Sequence, residues 1–453
     1  MHATSPHVLV VVQNLPVPLD RRVWLECLAL RSSGYEVSVI CPKGPGDPDF
    51  EEIDGVRIHK YRPAPEVDGT LGYLREFVQS WVATARRSRK VWKHRPFDVI
   101  QACNPPDTYW ALARLWRRRG VLFVYDQHDL NPELFLSRFG VPSGVLGTVQ
   151  YRSLTWLELR TYRTADQVIS TNESYRRTAI ERGRLDPTNV TVVRSGPDTA
   201  RMRPIDTRPP EGRTTSCELV YLGIMGPQDG VDVLLDAMDH LVHVQGRTDV
   251  HLSLLGFGDC YDDLRAQTTR LGLDPYVTFT GRADRRMIAE HLSAADIGVC
   301  PDPHSPLNDV STMNKTMEYM AYALPVVTFD LTETRVSAGD TAVYVEPGDV
   351  AGFATAIGEL LDDDERRVQL SVMARERVTD KLDWQAQRIA YVGVYDRLLG
   401  RATEPGAAWA WPGTERRTRS VAARDEGGNA LVDLRGGTGL RDFLRRKSVR
   451  AGP

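Results

Sequence analysis

The polar residues 309–318, which open an apolar helix, are the part of this 453-residue chain best suited to bind an anion. Ser311 is the predicted N-cap, so the backbone amides around it lack partners inside the helix. Those amides and the helix dipole attract a negative group such as a diphosphate. The amides belong to Ser311, Thr312, Met313 and Asn314. We therefore predict an anion site at this helix start.

Two charged side chains follow in the same helix. Lys315 adds a positive charge one turn in, and Glu318 can accept two hydrogen bonds from vicinal hydroxyls, as a ribose offers. The alternative is an ordinary amphipathic helix with Met317 and Met320 in the core and Glu318 in solvent. The binding interpretation predicts a site for a nucleoside diphosphate.

A second polar cluster closes the predicted strand of residues 121–125. It contains Asp126, His128, Asp129 and Glu133. A single histidine is more often structural, yet this many polar groups at one strand end are hard to explain by packing. Because parallel sheets bind ligands at the carboxyl ends of their strands, His128 is a candidate site residue.

Short apolar strands alternate with helical patterns over residues 7–200 and again over residues 219–361. Such strands, separated by helices, indicate parallel sheets buried on both faces. The sequence therefore predicts an α/β fold of two tandem Rossmann-like, doubly wound domains facing across a cleft. The predicted domains are 1–200, completed by a helix at 383–400, and 201–382.

Composition narrows the class of protein. No run of 18 apolar residues occurs, the N-terminus has no charged leader, and six scattered cysteines form no CxxC pair. We therefore expect a cytoplasmic protein in a reducing compartment. Residues 401–453 hold eleven Arg and Lys against six Asp and Glu, with eight glycines. This composition predicts a basic, disordered tail.

Several short strings resemble those of GT-B glycosyltransferases, in particular the retaining enzymes of family 4, over about residues 5–400. The strongest is KTMEYMAYALPVV at 315–327, similar to the family's K-x-x-E-x-M-A-x-G-x-P-V-V. The supporting strings are LLGFGD at 254–259, VTFTGR at 277–282, the pair Ala295–Asp296 and TADQVISTNES at 164–174.

The resemblance implies roles for particular residues. Glu318 would bind the ribose, and Gly256 and Arg282 would flank the nucleotide base. His128 would hydrogen-bond the donor sugar. GFGD at 256–259 also resembles a dinucleotide fingerprint, but it lacks the third glycine, which makes NAD binding improbable. A tight turn that needs two glycines explains this string equally well.

The first strand–helix loop, residues 14–22, carries the candidate acceptor contacts Asn14, Asp20 and Arg21. Asp20 is also a predicted N-cap. The family usually has glycines in this loop, where this chain has prolines.

Two departures from the family concern charge. Val310 stands where the family usually has a glutamate, and Asp309, one residue earlier, is the candidate substitute for contacts to the donor sugar. Gln228 and Asp229 stand where the family usually has a basic pair that holds the diphosphate. In this turn Gly226 would permit close backbone approach. Neutralisation of the leaving group is then expected to depend more on Lys315, on the amides of the helix start, and on Arg194 or Arg282.

The helix predicted at 71–95 has an apolar stripe and a basic opposite face. An interfacial helix on anionic lipid is one interpretation, and core packing with a solvated arginine face is the other.

These observations predict a retaining glycosyltransferase that uses a nucleotide-diphosphate sugar, with a UDP-sugar the favoured donor. The acceptor would be a hydroxyl of a glycan or of a lipid-linked molecule, in cell-surface polysaccharide or glycolipid assembly. We expect no cofactor, no catalytic metal and no nucleic-acid partner, and peripheral contact with the inner face of the cell membrane. The alternatives are a non-catalytic sugar-nucleotide binder and, less favoured, an NAD-dependent oxidoreductase.

Overall fold

The computed structural model describes residues 5–63, 70–206, 217–401, 430–432, 434 and 438–449. These residues form two compact units. The first contains the described residues up to Ser195 and those from Gln387 to Arg401, and the second contains Gly196–Ala386 and the described residues after 430. The predicted limit at residue 200 therefore lies five residues beyond the observed division.

The first unit is built on an eight-stranded sheet. Its strands are β1 (His7–Val11), β2 (Glu36–Pro42), β3 (Phe50–Ile53), β4 (Val56–Tyr61), β5 (Val99–Cys103), β6 (Leu122–Gln127), β7 (Gln167–Ser170) and β8 (Val190–Val192). The strand order is β3-β4-β2-β1-β5-β6-β7-β8, and every neighbouring pair is parallel except β3 with β4. Its helices are α1 (Arg21–Ser32), α2 (Thr70–His94), α3 (Trp110–Arg117), α4 (Asn131–Phe139), α5 (Gly144–Thr164) and α6 (Glu173–Gly183).

The second unit has a six-stranded parallel sheet of order β12-β11-β10-β13-β14-β15. Its strands are β9 (Ile205–Asp206), β10 (Cys217–Ile224), β11 (Val250–Phe257), β12 (Val277–Gly281), β13 (Ile297–Cys300), β14 (Val326–Phe329) and β15 (Ala342–Val345), with β9 outside the main sheet. Its helices are α7 (Val231–Asp239), α8 (Tyr261–Arg270), α9 (Arg285–Ala294), α10 (Asn314–Ala321), α11 (Thr332–Ala338), α12 (Val350–Asp362) and α13 (Asp364–Arg377). Helix α14 (Trp384–Leu398) begins in this unit and ends in the first.

The central strands are buried along most of their length, as continuous apolar strands in a parallel sheet require. The predicted α/β class with two Rossmann-like domains is confirmed. Helix α14 completes the first unit through Tyr391, whose Oη donates to Gln101 Oε1 at 2.6 Å. Tyr395 donates to the same oxygen.

The prediction of a disordered tail is wrong for part of the segment. Strand β16 (Ala430–Leu431) pairs antiparallel with β9, and helix α15 (Thr438–Val449) follows. Leu440, Phe443 and Leu444 are buried against Val372 of α13. This short apolar stripe gives α15 a face to bury, which overrides the polar composition of the tail. Residues 402–429 lie outside the described part of the chain.

Candidate functional site

A cavity of about 360 Å³ opens in the second unit, where the carboxyl ends of β10 and β11 meet the start of α10. The lining residues are 222–224, 229, 255–257, 282–283, 312–315 and 318. Four predicted donor-site groups, Gly256, Arg282, Lys315 and Glu318, are therefore brought together, along with Thr312, Met313 and Asn314 from the helix start.

Close strand approach shapes one wall of this cavity. Gly223 and Gly256 are paired across β10 and β11, and a Cβ atom on Gly256 would lie 1.8 Å from the Gly223 carbonyl oxygen. No side chain fits there, so the backbone itself forms the wall. Gly226 does not line the cavity; its amide donates to Asp229 Oδ2 at 3.0 Å.

The predicted N-cap at Ser311 is wrong. Helix α10 begins at Asn314 with Met313 as its N-cap residue, and no side chain caps it. Ser311 Oγ instead donates to the Leu307 carbonyl at 2.7 Å, because the preceding residues form a short 3₁₀ turn. The N-cap consequently lies two residues later than predicted, and the helix start still borders the cavity.

Lys315 is buried in a network of its own. Its Nζ lies 2.5 Å from Asp302 Oδ1 and 3.8 Å from Asp229 Oδ1, and 5.2 Å from the centre of the Tyr221 ring. Burial disfavours the ammonium, but Asp302, Tyr221 and Asp229 outweigh it and hold the pKa of Lys315 well above its usual range. The charge of Lys315 is therefore balanced by a buried carboxylate. The local sequence did not predict this pair, because Asp302 precedes Lys315 by thirteen residues.

Glu318 and Arg282 are the other charged groups that the sequence assigned to this site. Glu318 is buried one turn after Lys315 and lines the cavity. Arg282 stacks its guanidinium over the Phe257 ring at 4.0 Å and lines the same cavity. A flat cation above an aromatic ring forms a surface on which a nucleotide base can stack.

Asp309 is not among the residues that line this cavity. Its two carboxylate oxygens accept hydrogen bonds from the Thr332 amide at 2.9 Å and the Thr332 hydroxyl at 3.0 Å. The carboxylate thus anchors the start of α11. Its predicted contact with the donor sugar stays a prediction, and the bond to Thr332 was not predictable from the local sequence.

His128 belongs to a buried charge cluster in the first unit. Its Nε2 lies 2.9 Å from Asp126 Oδ2 and 3.2 Å from Arg22 Nε. Arg22 Nη2 donates to Asp126 Oδ1 at 3.0 Å, and Gln101 Nε2 donates to Asp126 Oδ2 at 2.9 Å. The backbone amide of His128 donates to Asn104 Oδ1 at 2.6 Å, which fixes the chain just beyond β6.

The charges in this cluster balance one another. Burial would raise the pKa of Asp126, but Arg22 and His128 hold it well below its usual range. Burial and Asp126 together raise the pKa of Glu26 well above its usual range. Glu26 accepts from Gln101 Nε2 at 2.9 Å. The cluster therefore contains an ionised carboxylate, Asp126, and a carboxyl group that favours its protonated form, Glu26. Arg22 is its permanent cation.

Four side chains of the cluster have ligand atoms within 4.8 Å of one another. They are Glu26, Cys103, Asp126 and His128. Arg22, however, already lies 3.0 Å from a carboxylate oxygen of both Glu26 and Asp126. A divalent ion would have to displace this guanidinium, so the donor set favours an internal ion-pair network.

The predicted acceptor loop is partly structural. Asp20 is the N-cap of α1 and accepts from the Val23 amide at 3.1 Å, which confirms the predicted cap. Asn14 is exposed, and Arg21 is half-buried. The neighbouring Arg22, which the sequence did not single out, reaches Asp126 on a strand 104 residues away.

Asp107, just beyond β5, gives a testable pH dependence. It is buried and accepts from Tyr125 Oη at 2.6 Å and Asn131 Nδ2 at 2.5 Å, and burial raises its pKa from 3.8 to about 6. Because the folded state holds this proton more tightly than the unfolded chain, its contribution to stability falls as pH rises from about 4 to 6. We expect a loss of about 3 kcal/mol over that window.

Urea unfolding of the wild type and of Asp107→Asn at several pH values measures this effect. The variant should show a shallower fall in the free energy of unfolding across the window. Parallel profiles for the two proteins would mean that folding does not raise the pKa of Asp107.

Comparisons with known proteins agree with this architecture. Residues 19–196 match the family model "Glycosyl transferase 4-like domain", and residues 216–363 match "Glycosyl transferases group 1". The chain is 27% identical to a glycogen synthase of Mycobacterium tuberculosis (83% of this chain, 90% of the relative). It is also 27% identical to a phosphatidyl-myo-inositol mannosyltransferase of Mycolicibacterium smegmatis (82% and 88%). The crystal structure of Anabaena Alr3699/HepE in complex with UDP and glucose superposes with a TM-score of 0.63 at 17% identity (87% and 100%).

The two Rossmann-like units and the two matched family models identify the chain as an enzyme, a glycosyltransferase of the GT-B type. The chain belongs among the glycosyltransferases of family 4.

Proposed function

We propose that this glycosyltransferase moves a sugar from a nucleoside-diphosphate sugar to a hydroxyl of a glycan or lipid-linked acceptor, with retention of anomeric configuration. A UDP-sugar is the favoured donor, and cell-surface polysaccharide or glycolipid assembly is the proposed setting. The observation that carries the proposal is the cavity beside α10, which combines a helix start, a buried carboxylate and a stacking cation.

Each part of that cavity suits one part of such a donor. The amides at the start of α10 suit the diphosphate, since unpaired helix amides bind anions. Glu318, one turn further, suits the ribose hydroxyls. The Arg282–Phe257 stack suits the base. The UDP and glucose bound by the similarly folded Anabaena protein support this choice of ligand.

In this chain, the negative charge of the leaving diphosphate would not be neutralised by a single lysine alone. Lys315 borders the cavity, but Asp302 and Asp229 already surround its ammonium. The developing negative charge on the leaving diphosphate would therefore be stabilised mainly by the α10 amides, the helix dipole and Arg282. The resemblance to family 4 implies front-face attack, with the diphosphate accepting the proton of the incoming hydroxyl.

A direct test measures nucleotide binding and then turnover. UDP, GDP and TDP are compared by thermal shift, where a ligand at 100 times its dissociation constant should stabilise the protein by about 2.7 kcal/mol. The preferred nucleotide is then supplied as its sugar, and NMR of the product reports the anomeric configuration. No stabilisation by any of the three nucleotides, or an inverted product, would contradict the proposal.

Glu318→Ala should weaken donor binding by about 2–3 kcal/mol, because the ribose hydroxyls would lose a charged acceptor while remaining desolvated. Isothermal titration with UDP measures the change. Glu359→Ala, an exposed glutamate of α12 in the same unit, is the matched control and should bind as the wild type does. Equal affinity in both variants would make Glu318 a structural helix residue.

A lipid-borne acceptor and peripheral membrane contact at the inner face of the cell membrane are part of the proposal. The named mannosyltransferase relative acts, by its name, on a phosphatidyl lipid. In this chain α2 packs Trp81, Ala85 and Trp92 against the core, as the packing interpretation predicted. It still exposes one basic stripe suited to anionic lipid, consisting of Arg86, Arg89, Lys90 and Lys93. None of the described helices is both long and apolar enough to cross a bilayer.

A further inference from the structure

The turn between α4 and α5 exposes an unusual amount of apolar surface. Its large side chains keep much of their area in solvent: Phe139 67%, Val141 87%, Val145 83%, Leu146 68% and Val149 53%. We call these five residues the α4–α5 tip. Soluble proteins rarely expose contiguous apolar patches of this kind unless something covers them.

The charges around the α4–α5 tip indicate what covers it. Residues 138–163 contain four arginines and one acidic residue. All four arginines are exposed, at positions 138, 152, 160 and 163, whereas the acidic residue, Glu158, is buried beside Arg182. An apolar centre with a purely basic rim is complementary to an anionic lipid surface, where aliphatic side chains enter the boundary and arginines remain at the headgroups.

Self-association fits this surface less well. A two-fold dimer would place the patch against its own copy, so the arginine rims would face one another. Such like charges repel unless carboxylates intervene, and residues 138–163 expose none. An aromatic residue also lies on the exposed side of α5: Trp156, with Arg160 stacked 5.2 Å over its ring. Tryptophan and arginine are both suited to the interface between water and lipid.

The α4–α5 tip is also linked to the basic stripe of α2. The ring centres of Trp116 in α3 and Trp92 in α2 lie 4.9 Å apart. Those of Trp110 in α3 and Trp156 in α5 lie 5.7 Å apart. Helix α3 therefore packs between α2 and α5, and the three belong to one layer. We propose that the α4–α5 tip inserts into the headgroup region of an anionic bilayer, while the arginine rim and the α2 stripe hold the anionic headgroups.

This position has a consequence for the acceptor, which rests on the proposed function. Helix α4 begins at Asn131, three residues after His128, and ends at Phe139. Nine helical residues span about 13 Å. Insertion of the tip would therefore hold the His128 end of the first unit within about that distance of the lipid surface, where the headgroup of a lipid-linked acceptor lies.

Vesicle flotation of the full chain tests the proposal. The probes are vesicles of equal parts phosphatidylcholine and phosphatidylglycerol, and vesicles of phosphatidylcholine alone. The wild type should float with the anionic vesicles and much less with the neutral ones. Combined Val141→Ser, Val145→Ser and Leu146→Ser should weaken partition about tenfold or more, because three insertable side chains are lost. Val244→Ser, at a valine of the second unit that is 69% exposed, should change nothing.

Further measurements separate the alternatives. Since the replaced side chains are exposed, the melting temperature and UDP affinity of the triple variant should match the wild type, and Val141→Ser alone should show a smaller loss of flotation. Unchanged flotation of the triple variant, or no flotation of the wild type, overturns the proposal. A concentration-dependent dimer in light scattering that the triple variant abolishes would assign the tip to self-association and also overturn it. A chain that binds UDP but not vesicles refutes this inference alone, whereas one that binds vesicles but no nucleotide refutes the proposed function alone.

Discussion

Lys315→Ala should lower the free energy of unfolding by about 3–5 kcal/mol, the cost of breaking a buried ion pair. The reason is Asp302, whose side chain is 2% exposed and whose Oδ1 lies 2.5 Å from Lys315 Nζ. Without the ammonium, this carboxylate stays buried with no cation, and Asp229 adds a second negative charge nearby. Urea unfolding at neutral pH measures the loss, with exposed Lys381→Ala as the matched control.

The double variant Lys315→Ala, Asp302→Asn identifies the cause. Removing both charges leaves no uncompensated ion, so much of the lost stability should return. If the double variant is no more stable than Lys315→Ala, the loss comes from packing rather than from the unpaired Asp302.

Donor binding by the same variants follows from the proposed function. Lys315→Ala removes the cation beside Asp302 and Asp229, next to the proposed diphosphate site, so the affinity of this variant for UDP should fall strongly. The double variant keeps the net charge of the pair and should bind UDP more tightly than the single variant does. Equal affinity of the two variants would mean that the local charge of this pair does not reach the nucleotide.

Arg22→Ala should destabilise the first unit by a similar amount, about 3–5 kcal/mol. Arg22 is the cation that faces both buried carboxyl groups of the cluster, Asp126 and Glu26, at 3.0 Å each. It also donates to the Val193 carbonyl at 2.9 Å and Ser195 Oγ at 3.0 Å. Its loss therefore leaves a buried charge and two unpaired acceptors.

Exposed Arg177→Ala is the matched control for this experiment and should change stability by less than about 0.5 kcal/mol. Adding Asp126→Asn to Arg22→Ala should restore part of the loss, since the carboxylate that needs the cation is then neutral. A wild-type unfolding curve for Arg22→Ala would show that water solvates Asp126 in place of the guanidinium.

Local patterns were sufficient for much of the architecture. The alternation of apolar strands and helices predicted two parallel-sheet units, because periodicity depends on which face of a short element is buried. The cap at Asp20 was likewise predicted, since a cap involves only the next three residues. The segment from Lys315 to Glu318 was correctly assigned to a helix. The structure adds that this helix borders a cavity.

The same local reasoning was wrong for the cap of α10. Ser311 has the chemistry of an N-cap, but the 3₁₀ turn before it directs its hydroxyl to the Leu307 carbonyl. For Asp309, local reasoning did not predict the hydrogen bonds that both carboxylate oxygens accept from Thr332. Residue type alone does not reveal which of several partners a polar group finally meets.

The sequence by itself determined the fold class, the helix that carries Lys315 and Glu318, and the resemblance to family 4, because these depend on residues close together in the chain. Only the tertiary structure decided the charge state of the two clusters. Arg22 meets Asp126 across 104 residues, and Lys315 meets Asp302, which lies two residues beyond the end of strand β13. Such pairs depend on strand order and on burial, which set the energy of each charge and leave no short-range trace in the sequence.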